Sequence, residues 1–128
     1  MKLLSDYVKT YDAIDPDVCS DLVELFEKNT PMTNPWYRNS KKEWAEDYRS
    51  FLEADITNIP EFKNHVMPIY NIAQNVYNQY KKDVGIFFPD EVGFENLRMK
   101  RYNANDHDQF GWHTDVGDYA SARRFVVM

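Results

Sequence analysis

Hydrophobic residues recur at helical spacing early in the chain, in the stretch "DPDVCSDLVELFEKN". The apolar positions that share one helical face are Val18, Leu22, Leu25 and Phe26. Asp15 precedes this stripe as a candidate N-cap, and Pro16 suits the first helical position. The spacing predicts an amphipathic helix that begins at Pro16.

A longer stripe follows in "PEFKNHVMPIYNIAQNVYNQYKK". Its apolar members are spaced alternately by four and three residues and are Phe62, Val66, Ile69, Ala73, Val76 and Tyr80. This period predicts a second helix. Pro68 lies inside the stripe, so the helix is either kinked there or begins later. Between these two stretches, "SKKEWAEDYRSFLEAD" offers Ser40 and Glu43 as a capping box and predicts a short third helix.

Extended patterns occupy the start and the last third of the chain. The segment "YVKTYDAI" predicts a first strand, and "FENLRMKRYNA", "FGWHTD" and "SARRFVVM" predict later ones. Helices therefore dominate the first two thirds and strands the last third, which is typical of an α+β domain or of an all-β domain with added helices. We expect a single domain over residues 1–128 whose sheet has only begun where the sequence stops, and thus a fragment of a longer domain.

Composition narrows the class of protein. With 128 residues, 43% hydrophobic and 16% aromatic, the chain contains enough apolar material for a core. Its net charge of −6 argues against nucleic acid as a partner. The single cysteine, Cys19, forms no internal disulfide and is expected to be a small buried apolar residue. The sequence contains no apolar run long enough to cross a membrane, so the expectation is a cytoplasmic protein without a membrane partner.

The most specific chemical pattern is His113-Thr-Asp115 in "FGWHTD". On a strand, residues two apart point to the same face, so these two side chains are predicted to converge on one ion. Gly111 takes that face too and leaves room beside the metal. The opposite face is assigned to Phe110, Trp112 and Thr114.

An imidazole and a carboxylate with open positions suit Fe(II) in a facial triad of two histidines and one carboxylate. Zinc also accepts such ligands but favours a fuller tetrahedral set. The pair alone is weak evidence, and a surface pair is the plain alternative. The other histidines are His65, expected on a helix surface or cap, and His107, expected in the "NDHD" loop. Neither is a strong candidate for the third ligand.

The stretch "RYNANDHDQFGWHTDVGDYASARRFVVM" resembles iron(II)/2-oxoglutarate-dependent dioxygenases of the prolyl 4-hydroxylase-like group. The upstream "YDAIDPDVCSDLVELFEK" is also similar to the usual start of that domain. The resemblance implies a helix-supported double-stranded β-helix, or jelly-roll, truncated after the first strands of its core. Helical support is then expected over residues 1–83 and the start of the core over residues 84–128.

The same resemblance implies Fe(II) held by His113 and Asp115, with 2-oxoglutarate as co-substrate held in part by Tyr102. Ascorbate is an optional reductant in such a system. The family's second histidine ligand and its 2-oxoglutarate-binding Arg or Lys come from later strands, beyond Met128. Arg123 and Arg124 alternate in direction on the predicted strand, so at most one faces inward, and solvent contact is the preferred interpretation for both.

Three functions follow as hypotheses. The first is a hydroxylase that uses Fe(II), 2-oxoglutarate and dioxygen on an unidentified substrate, such as a prolyl residue, a free amino acid or another small molecule. The second is a catalytically incomplete jelly-roll that binds a partner or forms a homodimer through its open sheet edge. The third is a structural divalent-metal site without turnover.

Overall fold

A computed structural model describes residues 3–29, 34–35, 49–85, 87–104, 108–119, 121–123 and 126–128 of the protein. Its helices are α1 (Pro16–Lys28) and α2 (Lys63–Val84). Its strands are β1 (Asn34–Pro35), β2 (Arg49–Ser50), β3 (Leu52–Asp55), β4 (Arg98–Arg101) and β5 (Gln109–Phe110). Short 3-10 helices span Leu4–Tyr7, Pro60–Phe62 and Ser121–Arg123. The fold is therefore α+β, as the sequence predicts.

The chain divides into two compact units that interleave along the sequence. Unit 1 comprises residues 1–32 and 55–99 and contains both α-helices. Unit 2 comprises residues 33–54 and 100–128 and contains β1, β2 and β5. The division falls within β3 and β4. The candidate site residues all belong to unit 2.

Helix α1 begins where the sequence predicts. The Asp15 carboxylate accepts a hydrogen bond of 2.8 Å from the Asp17 backbone N–H, and Pro16 occupies the first helical position. This satisfies one of the backbone donors that every helix start leaves without an intrahelical partner. The inner face buries Leu22 and Phe26, two members of the predicted stripe. Cys19 is exposed, contrary to the expectation that it is a small buried residue.

Helix α2 includes Pro68 rather than starting after it. Because Pro68 is the sixth residue of the helix, which begins at Lys63, its missing N–H removes a single early intrahelical hydrogen bond. The helix ends at Val84 and is capped by Gly85, whose φ of 64° and ψ of 36° are left-handed and whose N–H donates to the Lys81 carbonyl. Glycine adopts this conformation without steric cost. Of the predicted stripe, Phe62 at the N-cap position is fully buried and the other five members are half-buried. The residues that α2 buries are Tyr77 and Val84, so the stripe matches the buried face only in part.

The segment before α1 is a 3-10 turn followed by irregular chain, so the strand predicted over residues 7–14 is wrong. Tyrosine hydroxyls tie this segment to α2 instead. Tyr80 donates to the Tyr7 carbonyl over 2.7 Å, and Tyr11 donates to the Asp83 carboxylate over 2.8 Å. Desolvation and the bond to Asp83 raise the pKa of Tyr11 to about 12. Side-chain bonds thus replace the backbone ladder that the alternating pattern predicted.

The predicted third helix is also wrong in its described part, because residues 49–50 and 52–55 form strands β2 and β3. The rest of that prediction, including Ser40 and Glu43, lies outside the described residues. β3 lies between β1 and β4 in a three-stranded sheet and pairs antiparallel with β1, with Asn34 opposite Glu53. β2 pairs antiparallel with β5, with Arg49 opposite Phe110. Pairing with distant segments overrides the local helical spacing.

The strand predicted over residues 121–128 is not seen in the described residues, where Ser121–Arg123 is a 3-10 helix and 126–128 are irregular. A local hydrogen-bond cycle explains the turn. Asp118 Oδ1 accepts from the Ser121 N–H over 2.7 Å, while Ser121 Oγ accepts from the Gly117 N–H over 2.9 Å. Ser and Asp compete with ladders in this way because their short side chains reach nearby backbone groups. The jelly-roll topology that the resemblance implies remains a prediction.

Across the described ranges, none of the helices combines the length and apolar character needed to cross a bilayer. Helix α2 is the longest at 22 residues, but charged and amide side chains interrupt its apolar stripe.

The N-cap of α1 gives a first test of this account. We expect Asp15→Ala to lower the free energy of unfolding by about 1 kcal/mol, because the Asp17 N–H loses its acceptor. Asp15→Ser is the matched control, because its hydroxyl restores an acceptor, and it should stay within about 0.5 kcal/mol of the native chain. Urea unfolding followed by far-ultraviolet circular dichroism measures both. Equal losses in the two variants would contradict the capping role.

In unit 1, the Asp55 carboxylate collects several donors at the end of β3. Asn96 Nδ2 and Asn58 Nδ2 each donate to Oδ2 over 2.9 Å, and the Thr57 N–H donates to Oδ1 over 3.2 Å. Burial acts to raise the pKa of Asp55, but the hydrogen bonds from Asn96, Asn58 and Thr57, together with the charge of Arg98, outweigh it and lower that pKa. The bond to Asn96 joins residues 41 positions apart in the sequence.

The lowered pKa predicts a pH-dependent contribution to stability. A carboxyl group whose folded pKa lies below its unfolded pKa stabilises the folded state above the unfolded value, and the effect is lost as pH falls through the folded value. We therefore expect Asp55→Asn to cost about 1 kcal/mol near neutral pH and progressively less in acid. Urea titrations across that pH range measure the difference. Glu24→Gln in the exposed ion pair with Lys28 is the control and should change little at any pH.

Candidate metal centre

The sequence predicted that the candidate ligands His113 and Asp115 lie on a strand, but in the structure they do not. β5 ends at Phe110, and residues 111–116 are irregular. Two side chains take up backbone groups that a ladder would use: His113 Nδ1 bonds the Gly111 carbonyl over 2.8 Å, and Thr114 Oγ1 donates to the Val116 carbonyl over 3.1 Å. Such local bonds favour turns over strands. The convergence of His113 with Asp115 therefore comes from a turn and not from strand alternation.

The bond to Gly111 determines which ring nitrogen of His113 faces outward. A carbonyl oxygen can only accept, so Nδ1 must carry the hydrogen in this contact. The neutral ring then has its lone pair on Nε2. In metal sites, a backbone carbonyl commonly fixes histidine in this way and leaves the other nitrogen to bind the ion. With Nδ1 bonded to the backbone, Nε2 is the nitrogen of His113 that faces Asp115 and is open to an ion or to a shared proton.

His113 Nε2 lies 3.3 Å from Asp115 Oδ1, so the structure does bring the two predicted ligands together. Without a proton or cation between them, the Nε2 lone pair and the carboxylate oxygen would repel each other. Two ligand atoms at about 2.1 Å from one ion lie about 3.0 Å apart at a right angle and about 3.4 Å apart at the tetrahedral angle. The observed separation falls in that range. Both side chains are accessible, with 30% and 44% of their surfaces exposed.

An aromatic cluster contacts the histidine through one of its rings. The Phe110 ring stacks on the His113 imidazole, with centroids 3.9 Å apart and planes inclined by 23°. The prediction that Phe110 lies on the face opposite His113 is therefore wrong, because the turn at Gly111 folds the histidine back over Phe110. Phe51, which is buried, contacts Phe110 at 5.5 Å and Tyr102 at 5.2 Å. Tyr102, the predicted 2-oxoglutarate ligand, thus joins the same cluster and is 44% exposed.

A cation lies over these rings. Lys100 Nζ is 5.0 Å from the centroid of Phe51 and 4.9 Å from that of Phe110, both within cation–π range. The same atom is 3.6 Å from Glu53 Oε2. Glu53 is only 8% exposed, so this ammonium partly neutralises a carboxylate that has lost most of its water. The charged pair and the rings belong to unit 2, together with His113.

The remaining sequence candidates do not join the pair in the described structure. His65 lies half-buried on α2 in unit 1, beside a shallow depression bordered by α1. Arg123 is exposed in a 3-10 helix and not at a strand start. His107 and Arg124 lie outside the described residues. Over the part of the chain that is described, no group of three or more His, Cys, Asp or Glu is placed to hold a metal ion.

The sequence pattern did not reveal the ring that stacks on the histidine or the charged pair that lies beside that ring. Phe110 precedes His113 by three positions, a spacing that matches no strand face. Lys100 and Glu53 are 47 positions apart, so their contact carries no local pattern. A weak signal did exist for Glu53, because it is the one charged residue in the run "FLEA". A charged residue within a buried strand requires a partner.

Comparison with known proteins adds no assignment: no family model matches the chain, and neither curated proteins nor solved structures show significant similarity to it. The resemblance to 2-oxoglutarate oxygenases therefore depends on the residues themselves. Their chemistry is compatible with an ion such as Fe(II), because Nε2 and Oδ1 supply one nitrogen and one oxygen donor and leave further coordination positions open.

Metal binding tests the centre directly. We expect the native chain to bind Co²⁺, a spectroscopic substitute for Fe(II), and we expect His113→Ala and Asp115→Asn each to weaken the affinity at least tenfold, because each removes one donor. The measurement is the visible absorption of Co²⁺ during titration. His65→Ala is the control, since His65 lies on α2 and should leave the titration unchanged. Unaltered binding in His113→Ala would rule out this assignment.

Proposed function

We propose that the chain belongs to an iron(II)/2-oxoglutarate-dependent oxygenase of the prolyl 4-hydroxylase-like group, which hydroxylates a carbon–hydrogen bond of its substrate. One observation carries the proposal: His113 Nδ1 bonds a backbone carbonyl, and Nε2 is thereby directed to within 3.3 Å of Asp115 Oδ1. This is the arrangement expected of the first two ligands of a facial triad. The finer fold that accompanies it is a jelly-roll.

In this proposal the protein residues would hold and orient iron and 2-oxoglutarate. These two groups would supply the oxidising chemistry when bound. His113 and Asp115 provide adjacent donors on one side of the ion. Tyr102 offers a hydroxyl to 2-oxoglutarate from the neighbouring aromatic cluster. The Phe110 ring covers one face of the histidine and keeps that face of low polarity, and Phe51 packs behind Phe110.

A divalent-metal site without turnover is the second candidate. It is favoured by the number of donors, since the described residues supply only one histidine and one carboxylate to this site. A two-donor site binds metal more weakly than a complete triad, and it gives no fixed position for a co-substrate. Activity with 2-oxoglutarate distinguishes this candidate from the oxygenase.

We expect 2-oxoglutarate to be converted to succinate when the chain is part of a domain that supplies the second histidine and the 2-oxoglutarate-binding Arg or Lys, with ferrous iron, ascorbate and dioxygen present. His113→Ala and Asp115→Asn should abolish the reaction, because they remove the donors. Tyr102→Phe should raise the KM for 2-oxoglutarate more than it lowers kcat, because the hydroxyl is assigned to binding. Succinate quantified by mass spectrometry is the readout.

The controls separate the two candidates. His65→Ala should retain the succinate yield of the native chain, and omission of iron should eliminate it. Metal binding that depends on His113 but produces no succinate would favour the second candidate and refute the oxygenase proposal for this chain.

A further inference from the structure

We propose that Glu53, Lys100 and Phe110 are positioning residues for His113: the carboxylate holds the ammonium over the phenyl ring, and that ring fixes the plane of the imidazole. This inference rests on the proposed metal site and concerns how its histidine is kept ready to bind. We call the three residues the supporting trio. All three belong to unit 2 and none is proposed to touch the metal.

The stacking of Phe110 on His113 restricts the ring in a way that the hydrogen bond alone does not. The ring turns about its Cβ–Cγ bond, and a single hydrogen bond from Nδ1 to the Gly111 carbonyl restricts that rotation only in part. A phenyl ring at 3.9 Å and 23° removes most of that freedom, because rotation would drive the two rings into each other. Hydrogen bond and stacking together define both the tautomer and the direction of Nε2.

Phe110 itself needs to be held, because it is the last residue of the two-residue strand β5 and is only partly buried. Lys100 provides a contact from a different strand: its Nζ lies 4.9 Å from the Phe110 centroid and 5.0 Å from the Phe51 centroid. The ammonium therefore bridges Phe110, on which the histidine stacks, and Phe51, which packs against Phe110. An ammonium attracts both ring faces through their negative charge density.

Glu53 explains why Lys100 stays over the rings and does not extend into water. A lysine side chain is flexible and normally keeps its charge fully hydrated. Here the Lys100 side chain is only 33% exposed, with Nζ 3.6 Å from the carboxylate of Glu53, which is itself 8% exposed. An apolar pair of similar volume would fill this place without the desolvation cost of two charges. The charged pair is therefore better explained by orientation than by packing.

Unit 1 contains a matched arrangement that serves as a control. Lys81 Nζ lies 5.1 Å from the centroid of Tyr77 and 2.9 Å from Asp90 Oδ1, so it is also a lysine over an aromatic ring with a carboxylate partner. It has no histidine stacked on its ring in the described structure. Lys81→Met therefore removes the same kinds of contact as Lys100→Met without affecting the proposed support of His113.

The first measurement uses the metal-free chain. Nitrogen-15 chemical shifts of the histidine side chains report which ring nitrogen carries the proton. The native chain and Lys81→Met should show His113 protonated at Nδ1, whereas Lys100→Met and Phe110→Leu should shift it toward a mixture of both tautomers. Lys100→Arg keeps the charge and the contact with the rings, so it should restore the native pattern. An Nδ1–H pattern unchanged in both Lys100→Met and Phe110→Leu overturns the inference.

The second measurement is Co²⁺ affinity. Lys100→Met, Glu53→Gln and Phe110→Leu should each weaken binding by about tenfold, as loss of outer supporting partners does in other metal sites, while Lys81→Met should leave it unchanged. Circular dichroism confirms that each variant is folded. Where Lys100→Met does not fold, Lys100→Arg and Phe110→Leu provide the comparison. Native affinity in all the trio variants, with binding still lost in His113→Ala, overturns the inference.

The two proposals fail in different ways. If the native chain binds no Co²⁺ but its His113 tautomer depends on Lys100 and Phe110, the metal site is wrong and the positioning role stands. If binding depends on His113 and Asp115 but neither the tautomer nor the affinity responds to the trio, the metal site stands and the positioning role is wrong.

Discussion

The hydrogen bond between His113 Nδ1 and the Gly111 carbonyl is the constraint on which the candidate centre depends. It fixes the tautomer, folds the imidazole back against Phe110 and directs Nε2 toward Asp115. A turn therefore achieves what a regular strand would achieve by alternation, namely the convergence of two residues separated by one. Because the turn is made of local bonds, its geometry requires little support from distant residues. The orientation of the ring about that bond does require such support.

That support comes from charge as well as from apolar contact. The buried apolar residues of unit 2 that the structure describes are Phe51 and Ala54, a small core by any measure. Aromatic rings and an ammonium over them supply directional contacts that aliphatic side chains lack. Glu53 adds a buried carboxylate that keeps Lys100 in place. The arrangement sacrifices some stability in exchange for a defined ring orientation, which is a common property of functional sites.

Unit 1 is stabilised by apolar packing of its helices and by hydrogen bonds from tyrosine hydroxyls. Two amphipathic helices bury Leu22, Phe26 and Tyr77, and tyrosine hydroxyls attach the irregular chain to α2. Backbone carbonyls accept most of these bonds, so the tethers depend on where the chain passes and little on which residues it contains. The unit thus holds long irregular stretches in place without a large sheet.

The sequence predicts the helices, the candidate site and the sheet to different extents. Asp15, Pro16 and the stripe through Phe26 are within fifteen positions of one another, and the structure confirms the helix they predict. The pairing of His113 with Asp115 is equally local, so a pattern of two residues was enough to predict that they meet, although the reason given, a strand, was wrong. The jelly-roll, the iron and the role of Tyr102 remain predictions.

Only the tertiary structure determined the strand pairs and side-chain contacts between residues that are far apart in the sequence. Residues 49–50 and 52–55 have helical spacing but form strands, because β1 and β5 offer backbone partners that the local pattern does not reveal. Lys100 meets Glu53 and Phe110 through chain pairing alone. Caps, stripes and near-neighbour pairs are determined by bonds among adjacent residues and can be seen in the sequence. Strand partners and the contacts around His113 depend on which remote segments meet, and the free energy of those meetings is not encoded in any short window.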